Sequence, residues 1–206
     1  MDIILLKTKN ADWNVLSGYL GCLDPTRRKS VLKKTGDNDK TNALLSKLLL
    51  LSELEKRTGI PMKKLSFEKG SHGKPYLKNS ELFFSMSHTK GAIAAAFSEI
   101  GEIGVDVESK ARVINERMFE RALSAEEREN AKTSEDFLDL WVRKEAFLKR
   151  LGIGITRDLR TVSVETLPDT VTFDCGDFFV GVSGKGTPEL REITLSELLE
   201  RFVKLV

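Results

Sequence analysis

Residues 141–155 read WVRKEAFLKRLGIGI. Trp141, Glu145 and Lys149 recur at i, i+4 and i+8 and so share one helix face. Glu145 is the only acid of the stretch, set among Arg143, Lys144, Lys149 and Arg150. A Glu-to-Lys pair one turn apart is by itself an ordinary surface pair, worth a few tenths of a kcal/mol. That reading leaves the tryptophan on the same face, and the crowd of cations around one carboxylate, unexplained. A carboxylate turned to a metal beside a lysine turned to phosphate explains both. The Gly-x-Gly at 152–154 ends a helix instead of opening one, so it is no dinucleotide-binding turn.

Upstream, GVDVESK (104–110) reads as a strand. Alternation puts Asp106 and Glu108 on one face and Val105 and Val107 on the other. Two carboxylates on one face repel unless a cation lies between them. A lone D-x-E is more often a solvated strand face, but with substrate phosphates and waters it suits Mg²⁺. In FFSMSHTKG (83–91), Ser87 and His88 sit at a strand end before a turn. Neighbours in sequence cannot form a nucleophile–base pair, so the readings are a satisfied turn histidine or a phosphate contact. SHGKPYL (71–77) is a turn with Lys74 at its tip. RRKSVLKK (27–34) alone is a solvated helix face. GVSGKGT (181–187) lacks the P-loop spacing.

The chain has 206 residues, 40% hydrophobic and 31% charged, enough for one large domain or two small halves. A net charge of +2 lacks the basic excess of a nucleic-acid binder. Cys22 and Cys175 are far apart and form no C-x-x-C, which fits a reduced, cytoplasmic protein. Two cysteines and two histidines argue against structural zinc. MDIILLKTKN (1–10) reads as a strand and not a leader, and no stretch reaches membrane-spanning length.

The periodicities predict a strand over 2–8 and a leucine-rich helix over 39–58, capped by Asn38 or Asp39 and stopped by Gly59 and Pro61. Strands follow over 62–68, over 82–98 with a break at HTKG, and over 102–108. Ser124 and Glu127 form a capping box, and Ser134 caps a helix over 135–151. Strands over 160–165, 170–174, 177–183 and 189–193 precede a helix over 195–204. The order is strand, helix, strands, twice over. It predicts an α+β fold of two similar halves, 1–100 and 101–206.

Each motif is weak alone, but their order and spacing are specific. G-K-P-Y (73–76), F-S-x-S-H (84–88), G-V-D-V-E (104–108) and W-x-x-K-E-A-x-x-K-x-x-G-x-G-I (141–155) follow one another as in the 4′-phosphopantetheinyl transferases. The chain resembles the longer, surfactin-synthetase-activating (Sfp-type) branch. The resemblance implies a single-chain pseudodimer acting as a monomer, with its active site between the halves. It implies transfer of the phosphopantetheine arm of coenzyme A to a serine of an apo acyl or peptidyl carrier protein, with release of adenosine 3′,5′-bisphosphate. Neither nucleic acid nor membrane is an expected partner.

By the same resemblance, Asp106, Glu108 and Glu145 hold Mg²⁺, with Mn²⁺ as an alternative, and Glu145, Lys149 and Asp106 are catalytic. Lys149, Lys144, Ser87 and His88 contact the coenzyme A phosphates, Lys74 lies near the nucleotide, and Lys40, Thr41, Arg27 and Arg28 complete the binding set. Two departures stand out: Ser85 replaces an asparagine and Ile155 a leucine. ARVINERMFERAL (111–123) is expected to help dock the carrier; the alternative is that Met118 and Phe119 pack in the core. Two other classes compete: a binding module that has lost transfer, and a Mg²⁺-dependent phosphodiesterase. The intact carboxylate set argues against the first, and K-E-A-x-x-K after D-x-E against the second. Fatty-acid, polyketide and nonribosomal-peptide carriers all remain open.

Overall fold

The computed structural model describes residues 1–154 and 158–203. Ile155, which closes the opening stretch, and residue 204, the expected end of the last helix, lie outside the described residues. The fold is α+β. Strand β1 (Asp2–Lys7) runs through the middle of a four-stranded sheet ordered β4-β5-β1-β9, with β4 (Phe83–Thr89), β5 (Ala92–Ser98) and β9 (Glu189–Ile193). Ile3, Ile4, Leu5 and Leu6 of β1 are all fully buried, because both faces of this sheet are covered. Helix α3 (Asp37–Thr58) lays Leu44, Leu45, Leu48, Leu51 and Leu54 on one face.

On the other face, β5 presents Ala92, Ala94 and Ala96. Such small side chains let a second sheet approach, ordered β6-β8-β7 from β6 (Gly104–Ser109), β8 (Phe178–Ser183) and β7 (Thr170–Asp174). Its Val105, Val107, Val180 and Val182 fill the space between the sheets. Helix α6 (Ser134–Leu151) crosses the far face of this second sheet. A Cβ on Gly104 would lie 1.9 Å from the Ala146 carbonyl oxygen, and one on Gly181 2.3 Å from that of Val142. Only glycine lets the helix backbone come so near, and this brings Glu145 and Lys149 down onto β6.

The chain's last segments return to the first sheet. β9 pairs in parallel with β1, and α7 (Leu195–Glu200) packs Leu198 into the α3 core. Fully buried Glu53 of α3 secures this return, accepting from Arg201 at 2.8 Å, Arg191 at 3.1 Å and Arg57 at 3.2 Å. Burial works against its ionisation, but the three guanidiniums together hold its carboxyl below the usual range. Glu53→Ala leaves three cations without their shared partner and is expected to cost about 3–5 kcal/mol, read from urea denaturation. An unchanged midpoint would refute the role.

Local chemistry reset some boundaries. Residues 62–68 are not one strand: a 3-10 turn, Met62–Lys64, closed by Lys64 N–H on the Pro61 carbonyl at 2.7 Å, precedes β2 (Phe67–Lys69). Residues 160–165 are not a strand: 3-10 turns at Leu159–Thr161 and Val164–Thr166 take its place, and in the first Asp158 accepts the Arg160 N–H while its carbonyl takes the Thr161 hydroxyl. Thr133, with Asp136, and not Ser134, caps α6. Gly36 without a side-chain bond precedes α3 in place of Asn38 or Asp39. Helix α2 (Pro25–Leu32) starts from an Asp24 cap with proline in its first turn, a readable signal. Among the described residues, no helix is long and apolar enough to cross a membrane.

Candidate active site

Strands β4 and β6 lie side by side where the two sheets meet, and hydroxyls two residues apart join them. Ser85 Oγ accepts the Val105 N–H at 3.1 Å, Ser87 Oγ donates to Asp106 Oδ1 at 2.7 Å, and Thr89 Oγ1 donates to Glu108 Oε2 at 3.3 Å. Ser85, the residue that departs from asparagine, thus serves as a link between strands. From α6, Lys149 Nζ reaches Asp106 Oδ1 at 2.6 Å and Ser87 Oγ at 2.8 Å. Glu145, one turn before, is buried beside them. The structure therefore brings Ser87, Asp106, Glu145 and Lys149 into one cluster, with Glu108 at its edge.

Two carboxylate oxygens in the cluster, Asp106 Oδ2 and Glu145 Oε1, are buried with no hydrogen-bond partner. A buried unpaired carboxylate oxygen is costly and is suited to a cation. Burial first, then the neighbouring Asp106 and Glu108, push Glu145 from 4.5 up to about 7, against the opposing pull of Lys149 and Arg112. Burial and Asp106 also raise Glu108. A site that strains its acids in this way fits a divalent ion, though among the described residues no three His, Cys, Asp or Glu side chains converge as a metal-binding group.

The raised Glu145 has a consequence for the metal-free chain. The folded state holds this proton more tightly than the unfolded state, so its contribution is complete below pH 4.5 and lost as pH rises through about 7. The interval corresponds to roughly 3 kcal/mol at most. Thermal melts in EDTA should fall between these pH values for the parent chain, and Glu145→Gln should flatten that fall. Parallel pH profiles for the two proteins would refute the burden placed on Glu145.

Two cavities flank the cluster. One of about 420 Å³ is lined by Lys47, His72, Lys74, Ser85, Met86 and Lys149. The other, about 920 Å³, is lined by Thr41, Asn42, His88, Thr89, Glu108 and Arg112. His88 lines the larger one, its pKa lowered by surrounding protein and then by Lys149 and Lys34. Lys47 was not singled out from sequence. It is half-buried, and burial, Arg27 and Lys34 lower its pKa.

Other expected residues stand elsewhere. Lys144 points away from the cluster. Its ammonium is fully buried and donates to Glu127 Oε2 at 2.5 Å, Ala122 O at 2.8 Å and Leu159 O at 3.0 Å. It is a staple inside the fold, because residues adjacent in a helix diverge by 100° and cannot share a face. Lys74 is not at a turn tip: the tip is at 70–73. Its side chain folds inward, and Nζ meets Glu102 at 2.5 Å and the Ile103 and Arg150 carbonyls at 3.0 Å. It lines the smaller cavity with its charge already met.

Arg27 is held by Asp24 and, at 2.8 Å, the Leu65 carbonyl; Arg28 by the Leu20 and Leu23 carbonyls. Lys40 pairs with Asp37 at 3.2 Å and lies over Trp13. None of these three is brought to the cluster. In the 111–123 segment, Phe119 packs on Phe137, ring centroids 4.8 Å apart, and Met118 joins the same core. Val113, Arg117 and Arg121 stay exposed.

Comparison with known proteins gives two adjacent family matches. Residues 102–178 match the 4′-phosphopantetheinyl transferase superfamily, and residues 8–100 match the N-terminal unit of 4′-phosphopantetheinyl transferase. The chain is 32% identical over 147 residues to an L-aminoadipate-semialdehyde dehydrogenase-phosphopantetheinyl transferase of Candida glabrata, covering 65% of this chain and 56% of the relative. The Saccharomyces cerevisiae protein of the same name is 29% identical over 171 residues, covering 74% and 61%. The 4′-phosphopantetheinyl transferase Sfp of Bacillus subtilis is 24% identical over 158 residues, covering 73% and 70%. The chain thus spans 56% and 61% of the lengths of the two fungal relatives.

Proposed function

Since the chain belongs to the 4′-phosphopantetheinyl transferase superfamily, we propose that it transfers the phosphopantetheine arm of coenzyme A to a serine of an apo acyl or peptidyl carrier protein. The observation that carries this is the pair of orphaned carboxylate oxygens, on Asp106 and Glu145, beside Lys149. Acids alone would repel a pyrophosphate; acids able to take a cation, next to a lysine, would hold one. We assign the chain to the surfactin-synthetase-activating branch on its motif order. Its action as a monomer of two halves, in the cytoplasm, is part of the same proposal. The buried, unpaired Cys22 and Cys175 accord with a reducing compartment.

Coenzyme A would lie along the two cavities, its phosphates near Lys149, Ser87 and His88 and within reach of Lys47. Asp106 and Glu145 would hold Mg²⁺ or Mn²⁺, which supplies a Lewis acid that offsets pyrophosphate charge and aligns it. The carrier serine oxygen forms a bond to the β-phosphorus, and the bond from that phosphorus to the adenosine 3′,5′-bisphosphate oxygen breaks. Glu145 would receive the serine proton, directly or through a water held beside the ion. Lys149 then faces the charge left on the departing phosphate.

Intact mass spectrometry of one acyl and one peptidyl apo carrier, each incubated with the chain, coenzyme A and Mg²⁺, tests the proposal. The expected result is a gain of one phosphopantetheine arm that EDTA abolishes. Coenzyme A binding without any gain on either carrier would favour a binding module.

A further inference from the structure

The three acids are not equivalent, a point that rests on the reading that they face a divalent cation. Asp106 Oδ2 and Glu145 Oε1 are free of partners. Both oxygens of Glu108 are taken, Oε1 by Arg112 Nη1 and Oε2 by Thr89 Oγ1. Arg112 is itself seated. Its N–H donates to the Ser109 carbonyl at 3.0 Å, in the turn that ends β6. Its guanidinium lies over the Trp141 ring, 5.1 Å from the centroid, and Trp141 stacks on Phe137 at 5.7 Å. Trp141 is one turn before Glu145 on the same helix face, so the element that supplies one acid also holds the cation that occupies another.

We propose that Arg112 is a positioning residue, a latch stacked on Trp141 that holds Glu108 off the metal. The chain then offers the ion only Asp106 and Glu145. The physics favours the latch: a guanidinium on an aromatic face that also pairs with a carboxylate gains from both contacts. Moving Glu108 to the ion would forfeit the ion pair. Mg²⁺ is commonly held by one or two carboxylates, with substrate phosphates and waters in its remaining positions. The latch therefore makes metal binding depend on the phosphorylated co-substrate: the chain alone binds the ion weakly, and binds it well with coenzyme A present.

The test is a Mn²⁺ titration followed by electron paramagnetic resonance, with and without coenzyme A. Asp106→Asn and Glu145→Gln should each weaken binding about tenfold or more, whereas Glu108→Gln should change it by about twofold at most. Arg112→Ala, without coenzyme A, should tighten Mn²⁺ binding by about tenfold as the third carboxylate is released. Adding Glu108→Gln to Arg112→Ala should remove that gain, which a merely structural role for Arg112 would not do. Arg112→Gln serves if the alanine variant does not fold. Glu108→Gln weakening Mn²⁺ as much as Asp106→Asn, or a latch variant that binds no tighter than the parent, overturns the latch while leaving the metal site standing. No Mn²⁺ binding by the parent chain with coenzyme A present overturns the metal site, and the latch with it.

Discussion

Glu145→Gln is expected to lower the rate of arm transfer by about 10²- to 10⁴-fold, the range for loss of a general base, and Asp106→Ala to do so at least as severely. Glu145 is a buried acid that feels the charges of Asp106, Lys149 and Glu108 together, and glutamine keeps its volume while removing its charge. Initial rates by carrier mass spectrometry, at saturating Mg²⁺, are the measurement. Near-normal turnover by either variant would refute its role. The same Glu145→Gln change should stabilise the metal-free chain above neutral pH, because it removes a carboxylate that folding strains. Loss of activity accompanied by loss of stability would mean that Glu145 acts mainly as a structural residue.

Lys144→Met should act in the opposite way, on the fold instead of the chemistry. It leaves Glu127 charged and buried, and empties the donor to the Ala122 and Leu159 carbonyls. Breaking such a buried pair costs about 3–5 kcal/mol. Glu127 also closes the capping box of α5 (Ala125–Asn130) and accepts the Val164 N–H at 3.1 Å, so the damage should spread to both segments. Urea denaturation reads the loss, and titration calorimetry of the folded variant should return the parent's affinity for coenzyme A. A weakened affinity in a chain of undiminished stability would restore Lys144 to the phosphate site.

These two neighbours show where sequence reading reached its limit. Glu145 was legible because its partners lie at fixed helical spacing and because D-x-E recurs upstream. Lys144 sits beside it in the same motif, and a motif is blind to the 100° that separates adjacent residues on a helix. Gly73 and Pro75 predict a turn with Lys74 at its tip, and a turn does form at 70–73. The long Lys74 side chain nevertheless folds back to Glu102 and two carbonyls, contacts 28 to 76 residues away in the chain. Ser85, Ser87 and Thr89 lie two residues apart on β4, but the strand predicted from sequence ends before Thr89, and nothing local says that the three hydroxyls face β6.

The sequence by itself determined what depends on near neighbours. It set the α+β order, the two long helices with their glycine stops, the alternation that puts Asp106 and Glu108 on one strand face, and the motif order that marks the family. These follow from side-chain period, capping and backbone freedom, which act within a few residues. The tertiary structure alone decided which charges meet. Alanines on β5 let the second sheet close on the first, and glycines at 104 and 181 let α6 settle onto β6. Those approaches bury Glu145 beside Asp106, hand Lys149 to Asp106 and Ser87, hold Glu108 to Arg112 and send Lys144 elsewhere. Such pairings depend on the distance between elements far apart in sequence, and at these distances a carboxylate's partner is set by packing.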